Sequence, residues 1–162
     1  LYRRGFFDVC GFFDPDFFAY LEDVDIGLRG RLLGFHYLLV PQSLVYHQSH
    51  GSAINHAFYI QLVTQNRLLL FIKNIPTSRW IKFLPKIIYG QFYFLLAYGH
   101  LFASIRGYMG VIRKLPSVWS KRKDIKQAKV IEDWELDQLL KSEKPREGIR
   151  HHLRKLLKRF FH

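Results

Sequence analysis

Glu22, Asp23 and Asp25 put three carboxylates within four consecutive positions, where a segment of helical apolar spacing begins. Two chemistries suit them. One is capping, because carboxylates at a helix start meet free backbone N–H groups and the positive end of the helix dipole. The other is proton transfer. Phe12, Phe13, Phe17, Phe18 and Tyr20 stand just upstream, and a carboxylate beside apolar rings has its charged form disfavoured, so it takes up a proton more readily. Asp14 and Asp16 flank Pro15 in a turn rich in acceptors next to the same segment. Arg29 and Arg31 follow the acidic cluster. They read as solvated or ion-paired helix charges, or as contacts to a phosphate. His47, His50 and His56 lie close together, but their spacing matches neither a helix face nor a metalloprotease motif.

The elements that must position these groups follow from the apolar pattern. Val24, Leu28 and Leu32 recur every four residues, and Ile26 and Leu33 widen the face. This predicts a helix over 22–33 with Gly34 as its C-terminal cap. The runs 37–40, closed by Pro41, and 44–47 predict two short strands. The order helix, strand, strand reads as the end of an α/β domain. A helix is predicted over 57–73, ended by Asn74-Ile75-Pro76. The stretch 87–105 has no Asp, Glu, Lys or Arg and approaches the ~20 residues of a bilayer-spanning helix. Its two Gly, Gln, His and Ser make it less apolar than a span. An interfacial or re-entrant helix pair is the preferred reading, flanked by Lys82, Lys86, Arg106, Arg113 and Lys114. Further on come a basic run at 120–123, a short helix over 132–141 and a basic amphipathic helix over 148–161. Three zones result: 1–74, 75–114 and 115–162.

Lys and Arg outnumber Asp and Glu 25 to 13, a formal net charge of +12, which calls for an anionic partner. No zinc-finger or single-strand-binding motif is present, and an apolar middle zone has no use on nucleic acid, so an anionic membrane surface is preferred to nucleic acid. A single cysteine, Cys10, excludes an intrachain disulfide. The chain opens without Met or a signal peptide, and is expected to be a segment of something longer.

Several short elements, in order, resemble one family. Arg3-Arg4, Gly11-Phe12-Phe13-Asp14, Phe17-Phe18-Ala19-Tyr20, Glu22-Asp23-Val24-Asp25, Gly27-Leu28-Arg29 and Gly34 are similar to the acceptor-side half of family 2 glycosyltransferases. The likeness is closest to rhamnosyltransferase-like members of bacterial cell-surface polysaccharide pathways. It extends over 1–74. Cys10 stands where the family often has Gly, and Asp14-Pro15-Asp16 where Asp-Glu is common.

The resemblance implies a GT-A fold, α/β in class, followed by amphipathic membrane-associated helices at the cytoplasmic face of the bacterial inner membrane. It implies inverting transfer of a sugar from a nucleotide-diphospho-sugar to a hydroxyl of a cell-surface glycan or lipid-linked acceptor. Such a reaction needs a general base and a charge to stabilise the departing diphosphate. The base carries over to Asp23, with Glu22 as the alternative. Asp25, Arg29, Tyr20 and Arg4 carry over as substrate-contacting positions, Asp25 also as a cap or an orienting group. His47 carries over as an additional ligand of a divalent cation, Mn²⁺ or Mg²⁺, whose main ligands would lie upstream; an imidazole suits Mn²⁺ better. A strand-end histidine bonded to backbone is the equal alternative there. The polar patch Gln65-Asn66-Arg67 receives no role. With the nucleotide-binding half upstream of Leu1, the chain alone is expected to be inactive. The rival reading is a basic amphipathic module that binds a membrane surface or nucleic acid without catalysis.

Overall fold

The computed structural model describes residues 1–46 and 54–141. They form α1 (Arg4–Cys10), α2 (Glu22–Leu32), α3 (His56–Asn74), α4 (Trp80–Tyr98), α5 (Leu101–Ala128) and α6 (Asp133–Leu139), with a 3₁₀ turn at Thr77–Arg79.

The expected α/β, GT-A class is thereby overturned, since the described residues contain helices and no strand. The apolar run 37–40 shows why. A strand exists only when a neighbour completes its ladder, and among the described residues the only backbone bond of this stretch is a local turn from Ser43 N–H to the Val40 carbonyl. Leu38 and Leu39 are about as exposed as a free chain, at 90% and 91%. Tyr37 instead reaches α2 with its side chain, its hydroxyl donating to the Gly27 carbonyl at 2.8 Å.

Helix α3 is the axis of the fold. Asn55 caps its start, Oδ1 accepting from Ala57 N–H at 2.8 Å, and Ile75-Pro76 ends it. Helix α5 lies against α3 at close range because Gly107 and Gly110 present no side chain there. A Cβ at Gly107 would stand 2.7 Å from the Gln61 carbonyl oxygen, and one at Gly110 would strike the Gln65 side chain. An interior helix glycine costs about 1 kcal/mol relative to Ala, which the closer packing offsets. Around this contact Leu69, Val111, Val118 and Phe17 form one core cluster. Arg122 closes the C-terminal end of α3, donating to the carbonyls of Ile72 and Ile75, as a cation does well at that end of the dipole.

Helices α1 and α2 pack through Phe6, Cys10 and Ile26. Helix α6 covers the far end of α2, where Leu136 and Ile131 meet Leu32. The predicted helices over 22–33, 57–73 and 132–141 correspond to α2, α3 and α6. The uncharged stretch 87–105 is divided: α4 ends at Gly99, left-handed at φ 67°, and α5 starts at Leu101. Among the described residues no helix is long and apolar enough to cross a membrane. The helix expected over 148–161 lies outside the described residues.

Candidate functional site

The approach to α2 is strained. Phe18, Tyr20 and Leu21 all have positive φ, at 57°, 66° and 66°, in a region that costs a non-glycine residue on the order of 1–3 kcal/mol. Asn66, fully buried on α3, holds this loop. Its Nδ2 lies 2.8, 2.8 and 2.7 Å from the carbonyls of Phe17, Ala19 and Tyr20. Tyr20 is fixed further by an edge contact with Tyr59, ring centroids 4.9 Å apart.

This loop delivers Glu22 and Asp23 as the first two residues of α2. Asp23 is exposed, and among the described residues its Oδ1 accepts only from the neighbouring Val24 N–H at 2.8 Å. Glu22 is half-buried, and its Oε2 is buried with no hydrogen-bond partner among the described residues. Leaving a buried polar atom unpartnered costs about 1–3 kcal/mol. One carboxylate thus faces water and the other holds a sheltered, unsatisfied oxygen.

Asp25 behaves differently. It has no solvent exposure. Its Oδ2 accepts from Lys73 Nζ at 2.8 Å and from Arg29 Nε at 2.9 Å, and its Oδ1 from Asn74 Nδ2 at 2.8 Å. Lys73 also bonds Asp14 Oδ2 at 2.5 Å, and Asp14 Oδ1 accepts from Lys121 at 2.6 Å. Lys121 continues the chain to Asp16. The other guanidinium nitrogens of Arg29 donate to the carbonyls of Cys10 and Phe12. The polar atoms of Asp25 and Arg29 are therefore committed to each other, to Lys73, to Asn74 and to backbone. They brace the loop between α1 and α2 against α3, and Lys121 ties the same loop to α5 through Asp14 and Asp16.

The electrostatics follow this pairing. Burial alone would raise the Asp14 carboxyl, but hydrogen bonds from Lys121, Lys73 and the Asp16 N–H outweigh it and hold the group at about 2. Asp16 is likewise lowered: burial opposes, and Lys121 and Ser117 prevail. Lys121 is raised, its two carboxylate partners outweighing its burial.

The other expected residues scatter. Arg4 begins α1 and is exposed, and His47 lies outside the described residues. No group of three His, Cys, Asp or Glu among the described residues is arranged to hold a metal. The chemistry of the donor set agrees, since Asp14, Asp16 and Asp25 are already neutralised by lysine or arginine. Asp14, Asp16 and Asp25 are therefore committed to cationic side chains and do not fit a divalent cation.

Sequence reasoning missed Lys73, Lys121 and Asn66. Lys73 carries a signal in retrospect, as a lone cation at the end of Leu68-Leu69-Leu70-Phe71-Ile72. Asn66 belongs to the polar patch that had no assigned role.

Beside these groups, one face of α2 formed by Val24, Gly27, Leu28 and Arg31 lines a cavity of about 800 Å³ that α3, α4 and α6 complete. Asp23 stands one turn before Gly27 on that helix, so the carboxylate pair lies at the end of α2 from which this groove departs. The chain matches no family model, no curated protein and no solved structure.

Proposed function

We propose that the chain carries the acceptor-side carboxylates of an inverting glycosyltransferase of family 2 type, acting on a nucleotide-diphospho-sugar and a hydroxyl of a cell-surface glycan or lipid-linked acceptor. The observation that carries this reading is the sheltered, unpartnered Oε2 of Glu22 beside the open carboxylate of Asp23. Both begin α2 directly after a strained loop that a buried asparagine holds in place. Strain and unmet polar atoms concentrate where a fold is built for binding or chemistry.

In this reading Asp23 is the base and Glu22 orients the acceptor, with their roles exchanged as the alternative. The acceptor hydroxyl donates to a carboxylate oxygen at about 2.6–3.2 Å. Its oxygen forms the new bond to the anomeric carbon as the bond to the diphosphate breaks on the opposite face. The proton passes to the carboxylate, and the nucleoside diphosphate leaves with the bonding electrons. Binding of the nucleotide and stabilisation of its diphosphate are assigned to none of the described residues.

The same reading sets the protein on an anionic membrane surface, at the cytoplasmic face of the bacterial inner membrane. Its support is a stripe of exposed apolar residues on α5, Phe102, Ile105, Met109, Ile112 and Trp119, spaced by three and four residues or by a full heptad. Exposed Arg106 and Arg113 flank it, the pattern of a helix that lies in a headgroup layer. On α4, exposed Ile81, Leu84, Ile88 and Phe92 repeat the arrangement beside Lys82 and Lys86.

The test is incubation of the full-length polypeptide with nucleotide-diphospho-sugars and membrane lipid extract, with products read by mass spectrometry. A sugar-extended product of inverted configuration is expected. Tight, salt-sensitive DNA binding without any product would favour the non-catalytic binding module instead.

A further inference from the structure

The groove along α2 holds cations that the carboxylates above do not explain. Its floor is apolar, built by Leu28, Leu70, Phe71, Phe83, Ile87 and Leu140. Three cations, Arg31, Arg67 and Lys86, line it, and among the described residues no Asp or Glu does. None of the three has a carboxylate partner among the described residues. Arg31 donates to the Phe35 carbonyl at 3.1 Å and meets His36 Nδ1 at 2.9 Å. Lys86 lies against the Phe83 ring, 5.7 Å from its Nζ to the ring centre.

Arg67 is the most telling of them. It is half-buried, donates to the Gly90 carbonyl at 3.1 Å and lies 5.6 Å from the centre of the Phe94 ring. Its guanidinium occupies the place of a missing side chain, since a Cβ at Gly90 would come within 2.2 Å of its terminal nitrogen. An interior helix glycine is unfavourable by about 1 kcal/mol, and here it makes room for a partly desolvated cation at the groove wall. A cation taken out of water without a counter-charge is destabilising unless an anion meets it.

We propose that this groove binds a lipid phosphate, with one aliphatic chain on the apolar floor and the phosphate between Arg67, Lys86 and Arg31. Charge complementarity selects the occupant. An uncharged chain would leave the three cations unmet, and free phosphate would leave the floor empty. Guanidinium groups match phosphate oxygens with paired donors, and Lys86 adds a mobile point charge. The proposal rests on the groove and not on sugar transfer, so it stands whether or not the chain transfers a sugar.

The test is calorimetric titration of the full chain with decyl phosphate below its micellar concentration, alongside decanol and inorganic phosphate. Saturable binding of decyl phosphate is expected, with decanol and inorganic phosphate each at least about tenfold weaker. Lys86→Gln alters an exposed side chain and keeps the fold testable. It and Arg67→Gln should each weaken decyl phosphate about tenfold without changing the affinity for decanol. Several outcomes would overturn the proposal: equal affinity for decanol and decyl phosphate, inorganic phosphate binding as tightly, unchanged binding in both variants, or no binding of decyl phosphate. Sugar transfer is scored separately, in the assay described above, so loss of one reading leaves the other measurable.

Discussion

Lys73 Nζ lies 2.8 Å from Asp25 Oδ2, and both side chains are shut off from water although they stand 48 residues apart in the chain. This pair ties α2 to α3 directly behind the Glu22–Asp23 end of α2. Removing one partner of a buried ion pair leaves an uncompensated charge, which typically costs about 3–5 kcal/mol. Lys73→Met should therefore destabilise the fold by about that amount in urea denaturation. Lys123→Met, at an exposed position, should stay within about 0.5 kcal/mol.

Acid should dismantle the same network. The Asp14 carboxyl is lowered from an ordinary 3.8 to about 2, so its stabilisation is complete above the unfolded value and is lost as pH falls through about 2. The amount is on the order of 2 kcal/mol. Asp16, also lowered, contributes in the same direction. Unfolding free energy measured from pH 5 downward should drop between about pH 4 and 2, and Asp14→Asn should flatten that drop. An unchanged slope in the variant would assign the acid lability elsewhere.

Asn66 is the clasp of the strained loop. Asn66→Ala removes the donor shared by three carbonyls and should cost about 1–3 kcal/mol. The sharper readout is local. Amide hydrogen exchange over 17–21 should accelerate more than exchange in α5, because the loop's positive φ angles are held by that side chain.

The two glycines of α5 differ in what they face. Gly107 faces backbone, the Gln61 carbonyl, whereas Gly110 faces the end of a side chain, that of Gln65. Gly107→Ala should destabilise by about 1–3 kcal/mol through overpacking. Gly110→Ala should cost less, since helix propensity returns part of what shifting the buried Gln65, which donates to Asn66, costs. Thermal melts of the two variants check the order.

Helix positions were legible wherever local signals agreed. The four-residue spacing of Val24, Leu28 and Leu32 and the Asn74-Ile75-Pro76 stop gave α2 and α3 within a residue or two. The short apolar runs were not legible, because 37–40 has the composition of a strand while strand formation depends on a partner elsewhere in the chain. The carboxylate cluster was visible as a cluster, but the division within it was not. Asp25 lies two and three positions beyond Asp23 and Glu22, and on a helix that turns it inward to Lys73 and Asn74. Only the packing of α2 on α3 decides which carboxylate is buried.

The most direct measurement compares turnover in the full-length polypeptide for Asp23→Asn and Glu22→Gln against the unaltered protein, with melting temperatures recorded on the same samples. Asp23 is exposed and, among the described residues, bonds only its neighbour's N–H, so its substitution should leave the melting temperature in place while turnover falls about 10²–10⁴-fold. Full turnover in both variants, with folding intact, would contradict a base at the head of α2.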